Sequence, residues 1–308
     1  MPGSSAGSVD TTARPLSVVI GTIRPWPEAR AVLDSVYEQA EALGGEVVLA
    51  IRSEDGRPPP ATYPGLKVVA VAGESVFELR LRAVAEASGE IVAVTEDHCR
   101  VAPDWCRRIL EAHAQFPEAD VIGGAVANGA RAASGWAAFL ISNGPFLPPL
   151  ETLERKVVTG HANVSFKRRA LWGWGAGGLD DGRYRVQLRE RGGRLVTDGR
   201  IAVLHIQQFP PLDMCIYLFH GGRSLAGSQR EHLSVWRWWR RLGKVLLLPL
   251  RVAVNTPRLA VRAGLRDSTL WLSMLRCQPW LALLLTFSFS GELVGHLFGP
   301  GKSPYHLR

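Results

Sequence analysis

Residues Glu90 to Trp105 read EIVAVTEDHCRVAPDW. Ile91, Val92, Ala93 and Val94 form an unbroken apolar run, the pattern of a strand covered on both faces. The run ends in Glu96, Asp97 and His98, two carboxylates and an imidazole side by side. Packing alone gives no reason for three ionisable groups at the end of a buried strand.

The residues upstream give that strand a context. LSVVIGT (Leu16 to Thr22), EVVLAI (Glu46 to Ile51) and LKVVAVA (Leu66 to Ala72) are short β-branched or apolar runs. Between them, Glu28 to Leu43 places Ala31, Val32, Val36 and Ala40 on one helical face, and Val76 to Ala87 forms a second helix before EIVAVT (Glu90 to Thr95). Strand and helix alternate, which predicts an α/β fold with a largely parallel sheet. Ligands of such sheets sit beyond the carboxyl ends of the strands, where Glu96, Asp97 and His98 fall.

The chain has 308 residues, of which 46% are hydrophobic, ample for one large domain or two smaller ones. This excludes a disordered or fibrous protein. The first fourteen residues, MPGSSAGSVDTTAR, are small and polar and lack the apolar core of a secretory signal, so a disordered leader is expected. Cys99, Cys106, Cys215 and Cys277 lack paired metal-type spacing, which favours a reduced cytosolic face over a disulfide framework.

LSVVIGTIRP, EVVLAIRSEDG, ASGEIVAVTEDH and TGHANVSFKRRAL together resemble the nucleotide-sugar-binding half of the family 2 glycosyltransferases, which have the GT-A fold. The resemblance spans about Leu16 to His205. It implies that the strand after Ala87-Ser88-Gly89-Glu90 ends in a motif holding Mg²⁺ or Mn²⁺ against a nucleotide diphosphate. Glu96 and His98 then become metal ligands, with His205, at the end of IAVLHI, as a third or as a structural histidine. Asp97 binds metal or sugar hydroxyls. A hard cation on oxygen ligands suits a departing diphosphate, and a mixed oxygen and nitrogen set suits Mn²⁺ better than Mg²⁺. An acidic pair that merely opens a loop is the plainer reading of Glu96 and Asp97.

The same resemblance assigns Thr22, Arg24, Arg52, Asp55, Arg80 and Asn163 to the nucleotide-sugar site, with His161 beside Asn163 lining the sugar. Where the family carries Asp-Asp-Gly-Ser, this chain has Ile51-Arg52-Ser53-Glu54-Asp55-Gly56, so the acid that contacts the base or ribose is either missing or displaced to Asp55. Arg80 reaches a phosphate, orders the metal loop, or is a solvated helix arginine. The segment TGHANVSFKRRALWGWGAGGLDDGRYRVQLRERGG (Thr159 to Gly193) aligns Asp180 and Asp181 with the family's acidic pair. Asp181 is then the base that deprotonates the acceptor and Asp180 orients it, or one of them is a helix N-cap. Gly123 to Gly129, GGAVANG, reads as a turn, or as backbone that approaches the sugar closely.

The net charge of +8 is concentrated. Arg223 to Arg276 holds eleven Arg and Lys against Glu231 and Asp267, with Trp236, Trp238, Trp239, Trp271 and the run VLLLPL (Val245 to Leu250). Long aliphatic runs beside Trp and Arg fit an anionic membrane surface and not nucleic acid. Cys277 to Phe298 carries Glu292 as its sole charged residue, and its uninterrupted part before Gly291 is shorter than the roughly 20 residues of a span, so a re-entrant hairpin competes with a spanning helix. His220 and Arg223 in FHGGR are candidates for a diphosphate or lipid phosphate.

The expected organisation is a leader over 1–14, a GT-A domain over 15–222 and a basic, membrane-associating helical region over 223–308. The expected activity moves a sugar, with inversion, from a nucleotide-diphosphate donor to a lipid-linked or glycan acceptor at the cytoplasmic face of the membrane. A homo-oligomer is left open. A nucleotidyltransferase and a catalytically silent membrane adaptor are the competing readings.

Overall fold

A computed structural model describes residues 14–56, 61–154, 160–171, 188, 190–206, 210–230 and 234–307, with the backbone alone for Asp55 and residues 244–246. The sheet runs β3-β2-β1-β4-β8-β6-β9-β5, with β7 on β9. Its parallel block is β1 (Leu16–Thr22), β2 (Glu46–Arg52), β3 (Lys67–Val71) and β4 (Ile91–Glu96). β8 (Val164–Lys167) is antiparallel to β4 and to β6 (Val121–Asn128). β9 (Leu195–His205) runs parallel to β6, and β5 (Cys99–Val101) and β7 (Leu153–Glu154) are antiparallel to β9. The sheet is therefore mixed.

Side chains of β1 alternate between two cores, as a strand's period of two requires. Val18 and Ile20 meet Val32, Leu33 and Val36 of α1 (Arg30–Ala42) and Trp105 and Ile109 of α3 (Trp105–Gln115). Val19, with Val48, Val92 and Val94, meets Leu79, Ala83 and Val84 of α2 (Val76–Glu86). Ser75 and Glu78 form a capping box that starts α2 at the edge of the sheet. At the far end of the strands, buried Glu46 accepts hydrogen bonds from Ser17 Oγ at 2.7 Å and Ser88 N at 2.6 Å and pairs with Lys67 Nζ at 2.7 Å. Burial opposes its charge, yet Lys67, Ser17 and Ser88 hold its carboxyl down at about 2.

The glycine cluster read as a turn is strand β6. A Cβ on Gly124 would lie 2.2 Å from both Asn163 Nδ2 and Ile201 O, so the missing side chain admits Asn163 and not a sugar.

The rest of the described chain is helical: α4 (Ala133–Ser142), α5 (Pro211–Arg230), α6 (Val235–Leu246), α7 (Leu248–Arg266), α8 (Trp271–Arg276) and α9 (Gln278–Phe298). The expected boundary at 222/223 falls inside α5, which is one unbroken helix. α5 and α9 touch backbone to backbone. A Cβ on Gly222 would lie 2.2 Å from Ser288 O, and one on Gly291 would lie 2.0 Å from Phe219 O. Gly291 thus marks a helix contact, and α9 continues through it to Phe298 in place of a hairpin.

α9 has the length and mean hydropathy, 1.5, of a membrane span, with 39% of its apolar window buried inside the protein. The segment after it returns to the sheet. Leu307 packs with Val76 and Phe77, and His220, which stacks on His306 at 4.3 Å and meets Ser303 Oγ at 3.0 Å, holds that segment down. Arg223 donates to Gly299 O. The structure therefore uses His220 and Arg223 to anchor residues 299–306, not to meet a phosphate.

Candidate active site

β1 and β4 run side by side and end together, Gly21 opposite Glu96. β9 ends on the other side of the loop after β4, with His205 opposite Cys99. These three strand ends bring together side chains that are far apart in sequence. His98 Nε2 lies 3.0 Å from His205 Nε2, and Glu96 Oε2 lies 3.4 Å from the first and 3.6 Å from the second. Atoms bound to one divalent cation at about 2.1 Å are separated by similar distances, so the donor set fits a metal. The two imidazole nitrogens face each other at 3.0 Å, so one donates its proton to the lone pair of the other, and a cation would take that proton's place.

Neighbouring residues lock this triad. Arg80 crosses the end of β1 from α2, over Gly21, where a Cβ would lie 2.8 Å from Arg80 Cγ. Its guanidinium donates to Glu96 Oε1 at 3.0 Å and meets His161 Nδ1 at 2.9 Å. Buried and bonded to both Glu96 and His161, Arg80 is not a solvated helix arginine. Asp97 takes His98 Nδ1 at 2.7 Å on one oxygen and Thr22 Oγ1 at 2.6 Å on the other, with Arg24 Nε 3.8 Å away. A carboxylate on the far nitrogen of a ligating imidazole fixes its ring and tautomer.

Burial works against charge on every member of this group. It lowers His205 below the usual imidazole range despite Glu96. For His98, Asp97 and Glu96 overcome burial and carry the ring up to about 9. Burial would raise Glu96, but His205, His98 and Arg80 hold it well below the carboxylate range. Without a cation the cluster therefore keeps a proton on His98 and ionised carboxylates beside it.

The triad opens on a cavity of about 830 Å³. Its near wall carries Arg80, Asp97 and His161. Its far wall is helical, with Phe146 after α4, Leu218 and Ser224 on α5, Leu259 on α7, and Leu285 and Glu292 on α9. Ser224 is buried and its hydroxyl has no hydrogen-bond partner among the described residues. Sequence reading assigned none of this wall to the site. The available signal was Glu292, a lone acid in a long apolar run.

Other expected site residues lie elsewhere. Asn163 is fully buried, accepting from Trp105 Nε1 at 2.8 Å and donating to Ala125 O and Ile201 O at 2.8 and 2.9 Å. Its amide binds β6 and β9 to α3 and is spent on the fold. Arg52 ends β2 and donates to Glu74 O at 3.2 Å, outside the cavity lining. Asp55 lies in a short turn, Ser53–Asp55, its side chain outside the described part of the structure, as are Asp180 and Asp181.

No family model and no curated protein matches the chain. Solved structures do match. A mannosyltransferase, PcManGT from Pyrobaculum calidifontis, in complex with GDP-Man and Mn²⁺, is 17% identical, with a TM-score of 0.57 over 93% of this chain and 88% of that one. Glucosyl-3-phosphoglycerate synthase from Mycobacterium tuberculosis, in complex with phosphoglyceric acid, is 18% identical, with a TM-score of 0.50 over 71% of this chain and 79% of that one. A further mycobacterial protein is 16% identical, with a TM-score of 0.51 over 71% and 74%. At these identities the likeness speaks for the fold, and the mostly parallel sheet with flanking helices is of the GT-A type.

Proposed function

We propose that the chain is a metal-dependent glycosyltransferase that moves a sugar from a nucleotide-diphosphate donor to a lipid-linked acceptor, with inversion, at the cytoplasmic face of the membrane. The observation that carries this reading is the Glu96, His98 and His205 triad at the carboxyl edge of a GT-A-type sheet, opening on a cavity whose far wall is helical and largely apolar. Glu96, His98 and His205 would hold the cation. Two nitrogens and one oxygen suit Mn²⁺ better than Mg²⁺. When bound, the cation supplies positive charge to the leaving diphosphate.

The remaining work falls to the chain. Arg80 holds Glu96 in place and Asp97 holds His98, so the donor meets a preset site. Arg24, next to Asp97, adds positive charge where a diphosphate would lie. In this reading Asp181 takes the acceptor proton and Asp180 orients it.

A lipid-linked acceptor is supported by where the apolar surface lies. Trp236 and Trp239 on α6, Leu250 and Leu265 on α7 and Leu275 on α8 are all exposed, on helices rich in arginine. Such helices lie at a lipid interface with their basic residues toward anionic headgroups. The deciding measurement is melting of the full-length protein with UDP or GDP, each with and without Mn²⁺, together with transfer from the matching sugar nucleotide to a polyprenyl phosphate. Stabilisation by nucleotide that requires Mn²⁺ is expected. Stabilisation by nucleotide triphosphate alone, with release of diphosphate, would favour a nucleotidyltransferase. Nucleotide binding without transfer to any acceptor would favour an adaptor.

A further inference from the structure

A second cavity, of about 220 Å³, lies between α5, α6, α7 and α9 and shares Leu225 and Glu292 with the first. It is several times larger than the roughly 30 Å³ of one water. Arg241 of α6, Arg251 of α7, and Glu292 and His296 of α9 line it. His296 is 3% exposed and lines the cavity, and its Nδ1 is buried with no hydrogen-bond partner among the described residues. A buried polar atom left this way costs about 1–3 kcal/mol unless a ligand or water meets it. Arg251 is paired with Glu292 at 2.8 Å and stacked 3.7 Å over Phe289. Arg241 meets the side-chain oxygen of Gln229, a neutral partner. The lining therefore holds two guanidiniums against one carboxylate.

We propose that this cavity binds a phosphate monoester, with Arg241 and Arg251 facing its oxygens and His296 meeting one from the buried end. An anion with several acceptor oxygens would balance the surplus cation and satisfy the orphaned imidazole nitrogen together. The neighbouring exposed Trp and Leu residues of α6 and α7 make a lipid headgroup the first source, and a soluble phosphate ester the second. That choice of source rests on the membrane reading above. The site itself does not.

The test is calorimetric titration of the full-length protein with inorganic phosphate, with dihexanoyl phosphatidic acid below its micellar concentration, and with dihexanoyl phosphatidylcholine as the zwitterionic control. Saturable binding of both phosphate probes is expected, weakened at least tenfold by Arg241→Gln and partly restored by Arg241→Lys. Arg241 is exposed, so both variants should fold. Titration of UDP or GDP with Mn²⁺ should be the same in all three proteins, which separates failure here from failure of the donor site. Phosphatidic acid that binds more than tenfold tighter than phosphate assigns the site to a headgroup, and equal affinities assign it to a soluble ester. No saturable binding of either probe, or unaltered binding by Arg241→Gln, would overturn the proposal.

Discussion

The sheet and the C-terminal helices treat hydrophobic residues in opposite ways. Every residue of β1 is buried, as are the first six of β2 and the first five of β4, with charges confined to strand ends. In α6 and α7, Trp236 is 74% exposed, Leu265 75% and Leu250 59%. The sheet is ordered by its own core, whereas the outer helices carry apolar area that the chain leaves uncovered. The Glu96, His98 and His205 cluster sits on the first part, and the cavity beside it is walled by helices of the second. Under the proposed function, that division brings a water-soluble donor and an amphiphilic acceptor to one point.

The sharpest way to break that division of labour is at the triad. Glu96→Ala or His98→Ala should abolish Mn²⁺-dependent nucleotide binding in calorimetry while leaving the circular dichroism spectrum intact. Parental binding of UDP or GDP with Mn²⁺ in both variants would remove the metal assignment. Asp181→Asn should keep donor affinity and lower transfer by about 10²- to 10⁴-fold. If Asp180→Asn has that effect and Asp181→Asn does not, the two roles are exchanged.

Glu46 tests the sheet with no effect expected on the helices. Its folded value, about 2, lies below its ordinary 4.5, so its stabilisation is present above pH 4.5 and is lost as pH falls toward 2. The full shift corresponds to at most about 3 kcal/mol. Glu46→Gln should lower the melting temperature at pH 7 and flatten its fall between pH 4.5 and 2.5. A parallel acid limb in the two proteins would show that Glu46 is not the group responsible. Asp97→Asn, which removes charge from the carboxylate behind His98, should weaken Mn²⁺ affinity by about 10- to 100-fold.

On the helical side, each Lys or Arg near an anionic bilayer contributes about 1 kcal/mol, and salt screens it. Apolar burial is not screened. High salt should therefore fail to release full-length protein from vesicles, while detergent should succeed. Protein that stays in the soluble fraction at low salt in the presence of anionic vesicles would leave the exposed face of α6–α8 to another subunit.

The parallel block was legible because its residues are constrained locally. Leu16–Thr22 is β1 to the residue, and β2, β3, β4, α1 and α2 differ from their expected bounds by one or two positions. The cluster of Glu96, His98 and His205 was legible because it sits at strand ends. Asn163 was misread because an amide in a strand looks the same whether it faces a ligand or Trp105, and only the long-range pairing of β6, β8 and β9 decides which. Gly123 to Gly129 misled for the same reason. The helical wall of the cavity was hidden because α5 and α9 meet through glycines some 70 residues apart, and no local pattern announces that contact.

That helix pair also sets a clock. At about 5–20 residues per second, the roughly 200 residues between the end of β4 and the end of α9 take on the order of 10–40 s to synthesise. The sheet's parallel block is finished, and able to fold, long before α9 exists to cover α5. α5 is finished roughly 70 residues before α9, about 3–14 s earlier, and for that time Gly222 faces whatever the cell offers. A cavity completed by α9 is made with its sheet wall ready and its helical wall open. Its exposure to chaperones or to the membrane is greatest at the moment just before the site becomes whole.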